Sequence, residues 1–107
     1  MTTFDKREAA EEGKFAHDAE LQFKARAKRD KLVGKWAAEK LGLIGTAADS
    51  YAAELVATDL QEHGDGDVIR KLKKDFAAKN VQLSDHQIER TLNEKMAEAI
   101  KDIKAKG

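Results

Sequence analysis

The stretch LSDHQIERTLNEKMAEAIKDI, residues 83–103, decides the fold class. Ser84 stands three residues before Gln87, the spacing at which a hydroxyl and an amide side chain satisfy each other's free backbone N–H groups at a helix start. Leu83 and Ile88 bracket that pair at the positions of a hydrophobic staple. Ile88, Leu92, Met96, Ala99 and Ile103 then recur at three- and four-residue steps, which puts them on one face of a helix. A start signal followed by about four turns of one-sided apolar character predicts a long amphipathic helix. Such a helix is stable only when its apolar face is covered by others.

The same reading applies upstream. A first helix is predicted over about Asp18 to Leu41, stopped by Gly42 as a left-handed cap. Its apolar positions are Leu21, Ala25, Leu32, Trp36 and Leu43, with Val33 and Ala37 widening the stripe. At 1.5 Å per residue it would be about 36 Å long. A second begins after Gly45, with Thr46 as N-cap and Asp49 in the third helical position, and buries Tyr51, Leu55, Val56 and Leu60. Its end is placed at His63-Gly64. A third starts near Asp65, carries Val68, Ile69, Leu72 and Phe76, and ends around Lys79-Asn80, where asparagine can adopt a left-handed backbone. Connections of a few residues make sequential helices antiparallel. The expectation is an all-α, antiparallel four-helix bundle over residues 18–107, preceded by a mobile N-terminal arm, residues 1–17.

Composition fits that architecture and narrows the function classes. The 107 residues are 41% hydrophobic and 37% charged, with no proline and no cysteine. Thiol chemistry, disulfides and cysteine-type zinc sites are therefore excluded. No apolar run approaches the roughly 20 residues of a membrane span, and there is no signal-peptide core, so a cytoplasmic location is expected. The 20 basic and 20 acidic side chains cancel, but unevenly along the chain. Segments 1–20, 21–40, 41–67 and 68–107 alternate acidic, basic, acidic and basic. The second of these helices would pair favourably with the first, setting partner choice more than stability.

No constellation supports catalysis or a cofactor. Glycines 42, 45, 64 and 66 fall at caps and turns, not in a phosphate loop. His17, His63 and His86 lack the spacing of a helical metal pair, so no metal site is expected. His17 is a candidate pH-sensing group beside the arm. The basic run from Lys24 to Lys31 reads as a solvated helix face; a nucleic-acid-binding reading of it conflicts with zero net charge and the absence of interleaved aromatics. Trp36 with Lys35 is a candidate contact for ATP or ADP, stacking a base while lysine holds phosphate, although its period places Trp36 in the core.

The arm MTTFDKREAAEEGKFAH is acidic, is interrupted by Gly13 and has only two large apolar residues, Phe4 and Phe15. They lie eleven residues apart, a spacing that returns to nearly the same side of a helix. The arm can therefore form a thin amphipathic helix on a partner, ordering as it binds. Composition leaves a solvated tail or an extension of the first helix equally open.

The segments KFAHDAELQFK, residues 14–24, and DKLVGKWAAEKLGL, residues 30–43, together with FDKRE at 4–8, resemble the zeta subunit of alphaproteobacterial F-type ATP synthases. The likeness covers nearly the whole chain. Asp30 and Lys35 depart from the pattern, which has Asn and an apolar or neutral residue there; both departures are assigned to the bundle surface. The resemblance implies a non-enzymatic, natural inhibitor of ATP hydrolysis. Its partners would be the alpha, beta and gamma subunits of the catalytic sector, which would hold it at the inner membrane without inserting into it. In that family the arm enters a catalytic interface beside the rotor and blocks hydrolytic rotation. Carried onto this sequence, Phe4 and Phe15 would be apolar anchors, and Arg7, Glu8 and Lys14 would fix register.

Overall fold

The computed structural model describes residues 19–61 and 65–106. Among them are four α-helices and no strand: α1 Ala19–Lys40, α2 Thr46–Gln61, α3 Asp65–Ala78 and α4 Asp85–Lys106. The predicted end of the second helix at His63-Gly64 lies outside the described residues, as does the whole of the arm.

Each boundary has a local cause. At the end of α1, the Leu43 N–H donates to the Ala38 carbonyl (2.8 Å) and the Gly42 N–H to the Glu39 carbonyl (3.2 Å). That pairing needs a left-handed residue, and Gly42 supplies it with φ 78°. The end of α3 repeats the motif: Val81 N–H donates to Phe76, Asn80 N–H to Ala77, and Asn80 takes φ 59°. The predicted box at α4 is formed, with Ser84 N–H on Gln87 Oε1 at 2.9 Å and Gln87 N–H on Ser84 Oγ at 3.1 Å. The start of α2 differs from expectation. The first turn closes from Asp49 N–H to the Gly45 carbonyl at 3.2 Å, so Gly45 occupies the cap and Thr46 is already helical.

The helices form a closed bundle in which chain neighbours run antiparallel. Arg26 meets Asp59, and Gly34 meets Ala52, so α1 and α2 are opposed. Tyr51 with Asp75 and Glu54 with Lys71 oppose α2 and α3. Lys73 reaches Asp85 across the α3–α4 connection, and Lys28 of α1 pairs with Asp102 of α4. The diagonal helices α1 and α3 are parallel, since Arg29 contacts Asp65 and Trp36 contacts Phe76.

One continuous core joins all four helices: Val33, Ala37 and Ala38 from α1; Tyr51 and Leu55 from α2; Val68, Leu72 and Phe76 from α3; Ile88 and Leu92 from α4. Leu83 packs against it beside Ile88, as a staple requires. Two predicted faces need correction. Leu60 is 53% exposed, and its expected place toward the interior is taken by Ala52 and Asp59. In α1 the buried line is Ala25, Arg29, Asp30, Val33, Gly34, Ala37 and Ala38, while Leu32 and Trp36 are only partly buried. The helix is rotated toward its small residues because they let α2 approach closely. A Cβ on Gly34 would lie 2.5 Å from Ala52 Cα and 2.9 Å from Ala52 Cβ.

Candidate functional site

Beside this close contact lies a group of charged side chains that the periodicity did not mark as interior. Arg29 is 2% exposed, Asp30 1% and Asp59 6%. Helical spacing explains why they meet. Arg26, Arg29, Asp30 and Val33 lie three and four residues apart, on the face of α1 that turns toward α2. The Arg29 fork donates through Nε and one terminal nitrogen to Asp30 Oδ1 at 3.1 and 2.8 Å. Its other terminal nitrogen donates to Asp65 Oδ1 at 2.8 Å. Arg26 grips Asp59 with two bonds, Nε to Oδ2 at 3.2 Å and a terminal nitrogen to Oδ1 at 2.7 Å. The same Arg26 nitrogen reaches Asp65 at 3.3 Å. Two guanidinium groups from α1 thus tie the C-terminal part of α2 and the first residue of α3. The basic-against-acidic alternation along the sequence is realised here.

Electrostatics differ among the members. Burial pushes the Asp30 carboxyl up to about 7, reinforced by its hydrogen bond with Asp59 and opposed by Arg29. Burial alone would raise Asp59 too, but the Arg26 bonds and the share it takes in the Asp30 hydrogen bond hold it below its ordinary value. The Asp59 bond, outweighing desolvation, raises Arg26. Every buried side-chain polar atom among the described residues has a partner. The assignment of Asp30 to the surface is therefore corrected, and so is the reading of residues 24–31 as a wholly solvated face. Lys35 is exposed as expected.

The predicted nucleotide contact is not assembled as a pair. Trp36 sets its ring edge-to-face on Phe76 at 5.7 Å and 89°. Lys40, one turn on, lies over its ring at 5.5 Å, whereas the adjacent Lys35 occupies a different side of the helix. On the α2–α3 side, Tyr51 donates to Asp75 at 2.8 Å, and burial together with that bond raises its hydroxyl. A shallow groove of about 440 Å³ at the α3–α4 connection is lined mostly by Phe76, Val81, Leu83 and Lys73. Among the described residues no cluster of His, Cys, Asp or Glu has metal-holding geometry. No described helix is long and apolar enough to cross a membrane.

The described bundle therefore offers packing surfaces and a buried ionic clamp. The candidate arm residues Phe4, Arg7, Glu8, Lys14 and Phe15 all lie outside the described residues. The family model described as ATPase inhibitor subunit zeta matches residues 1–102, the arm included. The chain belongs to that family. Zeta subunits of this family are inhibitor subunits, which assigns this chain a regulatory role toward the ATP synthase. A solved relative, described as a solution NMR structure, is 38% identical over 81% of this chain and 99% of its own length, with a TM-score of 0.71. No curated protein sequence is matched.

Proposed function

We propose that this zeta-family chain inhibits ATP hydrolysis by inserting residues 1–17 as a helix at a catalytic interface of the F-type synthase, beside the rotor. The observation that carries the reading is the family match from residue 1 to 102, which runs through both the arm and the bundle. The chain is not an enzyme in this account; it acts by occupying space that rotation requires. Its partners are the alpha, beta and gamma subunits, and it sits at the cytoplasmic side of the inner membrane through them.

The physics of the arm supports this division of labour. A short acidic segment carrying Phe4 and Phe15 on one helical side gains little by folding alone, and gains more when both rings enter apolar pockets. Arg7, Glu8 and Lys14 add direction and register through charge complementarity. The bundle, whose first described helix starts at Ala19, gives the arm a rigid base.

The two rival readings have less geometric support. Arg26 and Arg29 of the basic run are spent on Asp59, Asp30 and Asp65, Lys24 pairs with Glu20 and Lys28 with Asp102, which leaves little free charge for phosphates. Trp36 is engaged with Phe76 and Lys40.

Deleting residues 1–17 is expected to leave the helical circular dichroism of the bundle intact and to abolish inhibition of hydrolysis by the purified catalytic sector. Phe4→Ala and Phe15→Ala should each weaken half-maximal inhibition by about thirtyfold, the equivalent of about 2 kcal/mol for a buried anchor. Inhibition by the truncated chain at the full-length concentration would refute arm insertion.

A further inference from the structure

Three carboxylates, Asp30, Asp59 and Asp65, share two guanidinium groups in the cluster that joins α1, α2 and α3. Fully ionised, the cluster carries one negative charge in excess, and two of its acids are almost completely buried. Asp30 Oδ1 and Asp59 Oδ2 face the same Arg29 terminal nitrogen, at 2.8 and 3.7 Å. Two carboxylates crowded on one guanidinium and kept from water repel each other when both are ionised, and a proton on the pair relieves that repulsion. Charge balance and burial thus both favour one proton at this end of the bundle.

We propose that the proton shared by Asp30 and Asp59 is a pH-sensitive latch, which fastens α1 to α2 and to the start of α3 when bound and loosens them when it leaves. The surrounding groups fix where it operates. From α1, Arg29 attracts negative charge to Asp30, and Arg26 does so for Asp59. From α2, Asp59 is the proton-sharing partner. From α3, Asp65 competes for both arginines and is itself half-exposed. From α4, Asp102 pairs with Lys28 of α1, within one turn of the cluster's Arg26 and Arg29.

The sign follows from comparing folded and unfolded chains. Asp30 ordinarily ionises near 3.8 and does so at about 7 in the fold. Between those values the folded protein holds a proton that the unfolded chain has lost. Stability from this group is therefore complete at the acidic end, falls as pH rises, and is gone above about 7. Asp59 acts in the opposite sense, and its depressed value confines that effect to stronger acid. Inside the window, each pH unit weakens the folding equilibrium by up to about tenfold. The latch does not depend on the target of the arm, so its test is independent of the inhibition assay.

Urea unfolding of the full chain at pH values from 5 to 8 reads it directly. Wild type should lose about fiftyfold in its folding constant between pH 5 and 7 relative to Asp30→Asn, whose amide stays neutral at every pH. Every other side chain is the same in both proteins, so its contribution cancels in the comparison. Equal pH slopes in the two proteins would overturn the latch. Carbon-13 carboxyl shifts of the wild type provide a second reading if Asp30→Asn does not fold. One midpoint of the Asp30–Asp59 pair should fall near 7; two midpoints below 5 would overturn it.

Discussion

Above pH 7, where Asp30 is ionised, Arg29→Ala should cost the bundle about 3–5 kcal/mol, the range found when one partner of a buried ion pair is removed. The loss is large because three acceptors depend on this one side chain. Asp30 loses both of its guanidinium bonds, Asp65 loses its 2.8 Å bond, and Asp59 loses the Arg29 charge at 3.7 Å. Asp30 has almost no access to water that could replace them. Arg26→Ala should cost much less, under about 2 kcal/mol, because Arg26 is 36% exposed and its acidic partners keep Arg29. For a domain of this size the Arg29 loss corresponds to a fall of about 15 °C or more in Tm. Thermal melts of the two variants, side by side, check both the size and the order. Equal melting temperatures would mean that the cluster is no clamp.

The second large effect is expected at Gly34. Valine there should destabilise by about 3 kcal/mol or more, at the upper end of overpacking costs, with a lower urea midpoint. The obstacle is backbone as well as side chain: the new Cβ would meet Ala52 Cα at 2.5 Å, Ala52 Cβ at 2.9 Å and Ala52 N at 3.3 Å. A flexible side chain could move aside, but here α2 itself must be displaced. Displacement would also stretch the Arg26–Asp59 bonds two turns away, so the two predicted effects are coupled. Alanine at 34 gains about 1 kcal/mol of helix propensity over glycine and should fall between wild type and valine. Ala52→Gly should recover part of the loss in Gly34→Ala, since it removes the 2.9 Å contact while leaving the backbone ones. A valine variant as stable as wild type would contradict the close approach.

These two positions also show where sequence reading succeeded and where it could not. The helix ends at Gly42, Asn80 and Ser84 were legible because their causes are local: Ser84 with Gln87, Gly42 and Asn80 each act on backbone groups within a few residues. The face of α4 was legible because its apolar residues stand out against charged neighbours. The face of α1 was misread because periodicity weighs large apolar side chains, and Leu32 and Trp36 drew attention from Ala25, Gly34, Ala37 and Ala38. A seam of close helix approach selects small residues, and that choice is made by the partner helix. Arg29 and Asp30 were assigned to solvent because an isolated helix gives no hint that Asp59 and Asp65 will be waiting on two other helices. The signal that could have revealed them was the charge contrast between residues 21–40 and 41–67, combined with the i, i+3 spacing of Arg26 and Arg29. Leu60 was misplaced for the complementary reason: Asp59, held by the arginines, occupies the inward position. Nothing in a linear pattern could have indicated that the neighbouring carboxyl would share a proton.

Inhibition of the synthase is the role that membership of the ATPase inhibitor subunit zeta family points to. The most direct test adds the purified full-length protein to the catalytic sector of an alphaproteobacterial F-type ATP synthase and follows the initial rate of ATP hydrolysis. The predicted result is a dose-dependent fall that saturates near one chain per catalytic sector. Hydrolysis unchanged at a large molar excess of folded protein would contradict it.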